Sequence, residues 1–197
     1  MVNDKSFFSV IIPLYNKEDT IERAVDSVLN QTFKKFELIV INDGSTDLSL
    51  NKIIDIKDDR IRIVNKENQG VSSARNLGIK MSNTNWICFL DADDYWENDF
   101  LEKFYKQIGN SNEIGFVFSS YFINEKPIRV VNINKAIIVN HFFNQIRKFG
   151  VSPNSSSVAV KKCCFDKIGL FEEDITIGED TDMWYRLMWS CKTMYLP

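Results

Sequence analysis

Three aspartates crowd one short stretch, Asp91-Ala92-Asp93-Asp94, directly after the apolar run Trp86-Ile87-Cys88-Phe89-Leu90. Carboxylates this close repel one another, and beside a core they need a positive partner. A divalent cation with oxygen ligands supplies one, and Mg²⁺ is usually held by one or two carboxylates plus the phosphates of a substrate. If extended geometry continues past Leu90, Asp91 and Asp93 point the same way. The stretch therefore predicts a metal–diphosphate site at the carboxyl end of a strand. A plain turn is the other reading, since Asp is a frequent turn and cap residue.

Three further groups of residues could join such a site. Asn42-Asp43-Gly44-Ser45 follows an apolar run; Asp43 could accept hydrogen bonds from a base or a sugar, or simply shape a turn. Glu179-Asp180 stands where a helix should begin, which the helix dipole favours, and either residue could also serve as a general base toward a substrate hydroxyl. Gln69-Gly70-Val71-Ser72-Ser73-Ala74-Arg75 puts a glycine and two serines at a helix start, a terminus that can face phosphate. Arg75 could pair with that phosphate or with an acidic loop, or be a solvated surface cation. Tyr95 or Trp96 could form a wall for a sugar to stack on.

The elements that must carry these residues are legible in the spacing. Phe7 to Pro13 reads as a buried first strand, followed by the loop Leu14-Tyr15-Asn16-Lys17. Asp19 with Glu22 three residues on forms a capping box, and Ile21, Ala24, Val25, Val28 and Leu29 make one helical face. Phe36 to Ile41 is a second strand, Leu50 to Ile54 a short helix, Ile61 to Val64 a third strand. Ala74, Leu77, Gly78 and Met81 fit a helix lying close on the sheet; Trp86 to Leu90 is the fourth strand, and Phe100 to Ile108 a further helix. This alternation predicts an α/β, Rossmann-like fold: a mostly parallel central sheet flanked by helices, with right-handed crossovers. Ligands bind such sheets outside the carboxyl ends of the strands, where the loops 14–16, 42–47 and 91–94 all fall. Beyond residue 111 a smaller antiparallel element is expected, with strands at Gly115 to Phe118, Ile128 to Ile133 and Val158 to Val160, then a final helix carrying Met183, Trp184, Leu187, Met188 and Cys191.

Composition narrows the classes. The 197 residues suit one domain, 1–197, with a nucleotide-binding half (1–110) and an acceptor-side half (111–197). A net charge of −3 gives no reason to expect nucleic acid or an anionic membrane surface as partner. The four cysteines (Cys88, Cys163, Cys164, Cys191) lack metal-ligand spacing and read as reduced thiols of a cytosolic protein. The single histidine, His141, reads as structural. The N-terminus shows no signal peptide, and no apolar run approaches transmembrane length.

Taken in order, these segments resemble the family-2 inverting glycosyltransferases of the GT-A fold. The resemblance is carried by Ser9 to Asn16, Gln31-Thr32-Phe33, Glu37 to Asp47, Asn68-Gln69-Gly70 through Gly78, Phe89 to Asp94, and Gly178-Glu179-Asp180 ahead of Trp184. It implies a nucleotide-diphosphate sugar donor, a UDP-sugar first, and a saccharide or lipid-linked acceptor of bacterial cell-envelope polysaccharide synthesis. By the same resemblance, Asp43 contacts the nucleotide base, Asp93 ligates Mg²⁺ or Mn²⁺, and Asp180 is the base on the acceptor hydroxyl. Pro13, Tyr15, Asn16, Arg75, Asp91, Ala92 and Glu179 complete the implied substrate-binding set. Where the family has an acidic pair before the glycine, this chain has Asn42-Asp43. Family members continue beyond the position of Pro197. A truncated C-terminus is therefore expected, its missing part shaping the acceptor site or attaching the protein peripherally to the inner face of a membrane.

Two rival readings differ in class. A phosphohydrolase with an aspartyl nucleophile would need a supporting Lys at a later strand end, which the sequence does not offer. A non-catalytic nucleotide-sugar-binding domain of a larger protein would bind donor without transferring it.

Overall fold

The computed structural model describes residues 6–109, 113–123, 126–128, 135–139 and 153–197. The expected strand over Ile128 to Ile133 lies mostly outside these residues, and His141 lies wholly outside them.

The first half alternates as the spacing predicts. Strand β1 (Phe8–Leu14) leads to α1 (Ile21–Leu29), β2 (Phe36–Asp43), α2 (Ser49–Ile53), β3 (Ile61–Lys66), α3 (Val71–Met81), β4 (Trp86–Phe89) and α4 (Phe100–Ile108). Strands β1 to β4 are mutually parallel in the order β3-β2-β1-β4. Period-two alternation divides them between two apolar layers. Phe8, Val10, Ile12 and Leu14 face one layer, with α1, α2 and α4; Ile11, Ile39, Ile41, Ile87 and Phe89 face the other, with α3. Gly78 lets α3 lie directly on that second face, because a Cβ there would sit 2.5 Å from Ile11 Cγ2. Pro13 is tolerated inside β1 because pairing with β4 ends at Ile11↔Phe89, so its missing N–H removes no ladder bond.

The second half completes the same sheet in a less legible way. It contributes β5 (Ile114–Ser119), the hairpin of β6 (Tyr121–Ile123) and β7 (Lys126–Ile128), β8 (Ile137–Ile138), β9 (Val158–Lys161) and β10 (Lys192–Leu196). Two helices, α5 (Lys162–Ile168) and α6 (Glu179–Ser190), pack on the α3 side. The full order is β3-β2-β1-β4-β9-β5-β10-β8. The antiparallel expectation holds for β9, which runs against both β4 and β5, whereas β5 itself pairs parallel with β10.

One predicted cap is corrected. Helix α1 starts at Ile21 with Thr20 at the cap position and no side-chain cap bond, so Asp19 and Glu22 form no capping box. Glu22 instead reaches across to Lys52 on α2, 3.2 Å away.

Candidate active site

The carboxyl ends of β1, β2 and β4 open on the same edge of the sheet, and their loops are tied to one another. Asn16, just past β1, adopts a left-handed conformation (φ 50°) that Asn tolerates better than most residues. Its side-chain oxygen accepts the Thr46 N–H at 2.8 Å, and Asp47 accepts the N–H groups of both Glu18 and Ser49. Tyr15 stays about half exposed beside this junction.

Asp43 ends β2 and is 3% exposed. Its carboxylate accepts the backbone N–H groups of Gln69 (3.1 Å) and Gly70 (2.8 Å) and the Lys66 ammonium. The turn needs Gly44: at φ 72° a Cβ would stand 2.9 Å from the Asn68 nitrogen. The loop into α3 is thereby docked on the end of β2, which places Arg75 one turn further along.

Arg75 joins the two acidic groups that sequence spacing could not connect. Only 3% exposed, it donates to Asp91 Oδ1 at 2.8 Å and to Glu179 Oε1 at 2.9 Å. Burial disfavours its charge, yet Asp91 and Glu179 together hold the guanidinium pKa above its ordinary value. Its plane lies over Phe171, 5.4 Å from the ring centroid. Phe171 is itself fixed by Asn76, whose amide exchanges two 2.9 Å hydrogen bonds with the Phe171 backbone. The solvated-cation reading of Arg75 is thus replaced by a buried clamp.

The Asp91–Asp94 segment is a turn rather than a continued strand. Strand β4 ends at Phe89, and the Asp94 N–H donates to Asp91 O at 3.0 Å. Strand alternation therefore does not set the relation of Asp91 to Asp93, and the two carboxylates take different partners. Asp91 faces Arg75; Asp93 meets Lys17 Nζ at 2.6 Å, with its side chain about half exposed. Ala92 between them is buried. Burial pushes the Asp94 carboxyl above the usual range; the Ser156 hydroxyl opposes this, and the neighbouring Asp91 and Asp93 charges reinforce it. Arg23 donates to the Asp93 carbonyl at 2.8 Å and stacks over Tyr95, while Trp96 is buried and stacked on Phe100, which leaves only Tyr95 as an exposed wall.

Asp180 sits in the first turn of α6, after Gly178. Its Oδ1 accepts the Thr181 N–H and its Oδ2 accepts the Ser155 hydroxyl at 3.3 Å; Ser155 in turn accepts from Arg75 at 3.3 Å. Arg186 pins the helix by donating to Asp182, Ile168 O and Leu170 O. Tyr121, at the start of β6, is pushed up by burial and by the Asp180 charge.

Sequence reasoning passed over Lys17, Ser155, Ser156 and Tyr121. Their partners lie between 25 and 76 residues away, so local spacing carried no signal. The Asn154-Ser155-Ser156-Ser157 run, with its turn-forming residue types, was the one local hint.

The donor set suits a divalent cation that brings phosphate ligands with it. Five carboxylates (Asp91, Asp93, Asp94, Glu179, Asp180) gather against Arg75, Lys17 and Arg23. Among the described residues, no three His, Cys, Asp or Glu side chains form a metal cage by themselves. Asp93, about half exposed, is the carboxylate most open to a cation, which would have to displace Lys17 from it.

Known proteins resemble the chain in sequence and in fold. A Rickettsia bellii protein described as an uncharacterized glycosyltransferase is 39% identical over 181 residues, which is 89% of this chain and 25% of that protein. The Escherichia coli UDP-Glc:alpha-D-GlcNAc-diphosphoundecaprenol beta-1,3-glucosyltransferase WfgD is 36% identical over 127 residues, 64% of this chain and 50% of that enzyme. The chain thus spans between a quarter and a half of the length of these relatives. Among solved structures, S. aureus TarS 1-349 in complex with UDP-GlcNAc superposes with a TM-score of 0.85 at 22% identity, covering 96% of this chain and 56% of that one. The Pyrobaculum calidifontis mannosyltransferase PcManGT, in complex with GDP-Man and Mn²⁺, gives 0.74 at 20% identity, covering 99% and 55%. These likenesses show the GT-A fold. No helix among the described residues is long and apolar enough to cross a membrane. The profile of Glycosyl transferase family 2 matches residues 9–167, and with that the ordered motifs, the sheet and the acidic cluster have one explanation: the chain belongs to glycosyl transferase family 2.

Proposed function

We propose that the chain is the catalytic GT-A portion of an inverting glycosyltransferase that moves a hexosyl group from a UDP-sugar to the hydroxyl of a lipid-linked saccharide. The observation that carries this reading is the convergence of Asp43, the Asp91–Asp94 turn and Glu179-Asp180 on one sheet edge, joined through Arg75. Residues 1–110 form the donor half and 111–197 the acceptor half. The named activities of WfgD and its like support the donor and the acceptor class. A cytoplasmic enzyme working at the inner face of a membrane fits such an acceptor.

Asp43 and the β1 loop (Pro13, Tyr15, Asn16) would receive the nucleoside. Asp93, with Asp91, Ala92 and Arg75 alongside, would hold the diphosphate through Mg²⁺ or Mn²⁺. When bound, that ion supplies Lewis-acid stabilisation of the departing nucleoside diphosphate. Asp180 takes the proton of the acceptor hydroxyl as its oxygen attacks the anomeric carbon and the bond to the diphosphate breaks, with inversion at that carbon. Glu179, paired with Arg75, keeps the first turn of α6 facing the acidic loop. General-base help of this kind is worth about 10² to 10⁴ in rate.

Calorimetric titration with UDP and other nucleoside diphosphates, with and without Mn²⁺, tests the donor site. Metal-dependent binding that Asp93→Ala abolishes is the expected result. Binding that ignores both Mn²⁺ and Asp93→Ala would rule the assignment out. Donor binding without transfer or hydrolysis, in the full-length protein, would favour a non-catalytic domain instead.

A further inference from the structure

We infer that the 153–157 turn is a positioning device for the acidic loop, and that Ser156 in particular sets the geometry in which the loop takes up its metal. The inference rests on the donor-site reading above. It adds a residue that lies 62 positions from the loop it serves and belongs to no motif.

Ser156 makes three hydrogen bonds to the segment 91–96, two through its hydroxyl and one through its carbonyl. Its hydroxyl oxygen accepts the Asp91 N–H at 3.0 Å, and the same hydroxyl donates to Asp94 Oδ2 at 2.6 Å. Its carbonyl accepts the Trp96 indole N–H at 2.6 Å. Asp91, Asp94 and Trp96 are thus held at three points, and Asp93, between them, is left as the solvent-facing carboxylate. Because the hydroxyl donates to Asp94, that carboxylate is turned toward the 153–157 turn, while Asp91 pairs with Arg75 and the half-exposed Asp93 with Lys17.

The turn can do this because it is rigid. Asn154 accepts the Ser156 N–H at 2.7 Å, and the Ser157 hydroxyl bonds both the Asn154 N–H and its carbonyl, a reciprocal cap over a single 3₁₀ turn. Ser155 and Ser157 are each 2% exposed, and β9 follows directly and pairs with β4. The strand that anchors the turn is therefore hydrogen-bonded to the strand that launches the acidic loop. Ser155 looks the other way, toward Arg75 and Asp180. Two adjacent hydroxyls thus serve different partners, which makes their roles separable.

Partners that orient metal ligands typically change metal affinity or activity 10- to 100-fold when removed. For Ser156→Ala we expect UDP affinity in the presence of Mn²⁺ to fall about tenfold. UDP affinity without Mn²⁺ should stay unchanged, a split that general destabilisation would not produce. Ser156→Thr, which keeps the hydroxyl, should restore most of the loss. Thermal melts of each variant confirm folding before titration. Equal Mn²⁺-dependent UDP binding by wild type and Ser156→Ala, with Asp93→Ala defective in the same assay, overturns the inference while sparing the donor site. Wild-type protein whose UDP binding ignores both Mn²⁺ and Asp93→Ala removes the donor-site reading and this inference with it.

Discussion

Replacing Arg75 with methionine tests whether the site is held together by charge. Methionine keeps much of the apolar stem that packs on Phe171 and removes only the guanidinium. Two carboxylates lose their cation. Glu179, with its side chain 14% exposed, is left with little water to replace it, whereas Asp91, at 31%, recovers part of its hydration. Removing one partner of a buried pair costs about 3–5 kcal/mol, and the exposure of Asp91 lowers the expected loss to about 2–4 kcal/mol. For a chain of this size each kcal/mol corresponds to about 2–4 °C, so Tm should drop by about 5–15 °C. Circular-dichroism melts, with urea denaturation to check that m is unchanged, give the number. Adding Glu179→Gln to Arg75→Met should recover at least half of the loss, because the stranded charge disappears. A loss below about 1 kcal/mol, or no recovery in the double variant, would refute the claim that Arg75 neutralises a buried carboxylate.

Other consequences can be measured directly. Gly78→Ala should destabilise the fold by about 1–3 kcal/mol, since its Cβ collides with Ile11, and Gly78→Ala combined with Ile11→Ala, which removes the colliding Cγ2, should cost less in denaturant melts than the two single changes added together. Asp180→Asn should reduce transfer or donor hydrolysis by about 10² or more while leaving UDP binding within twofold; unchanged turnover would remove Asp180 from the base role. Hydrogen bonding with Cys164 holds the Cys191 thiol down to about 7, while burial opposes it. Alkylation of Cys191 in a Cys163→Ser background should therefore set in at lower pH than for an ordinary thiol, and Cys164→Ala should move its midpoint upward.

How much of this was legible in the sequence depends on where the determining contacts lie. Helix α1 was readable from its 3.6-residue apolar period, and strands β1 and β2 from continuous apolar runs, the signature of strands buried on both faces. Gly78 signalled close helix–sheet packing for the same local reason. The short strand β10, Lys-Thr-Met-Tyr-Leu, went unread: it follows directly on α6, and its place in the sheet is set by β5, more than 70 residues earlier. The Asp91–Asp94 cluster could be recognised as a site, but its turn geometry could not, because the bonds from Ser156 and Arg75 that shape it come from distant segments. Asp43 shows the same limit in reverse. Its burial and its two backbone donors agree with the expectation of a structural turn, and the nucleoside contact that the family resemblance implies for it has no local signal.

The position of β9 has a consequence for how the chain acquires its structure. Residues 158–161 pair with β4 on one side and β5 on the other, so β5 has no strand pairing with the parallel half until they arrive. During synthesis from the N-terminus, the first four strands can assemble while β4 remains an open edge built of Trp86, Ile87, Cys88 and Phe89. An apolar edge of that kind invites pairing with other chains. Closing it requires a loop of some seventy residues to find its register, and non-local closure of this sort is slow. Ribosome-stalled or proteolytically shortened chains ending before residue 158 should therefore aggregate through β4, whereas in chains that reach past 161 but stop short of β10 the exposed edge moves to β5.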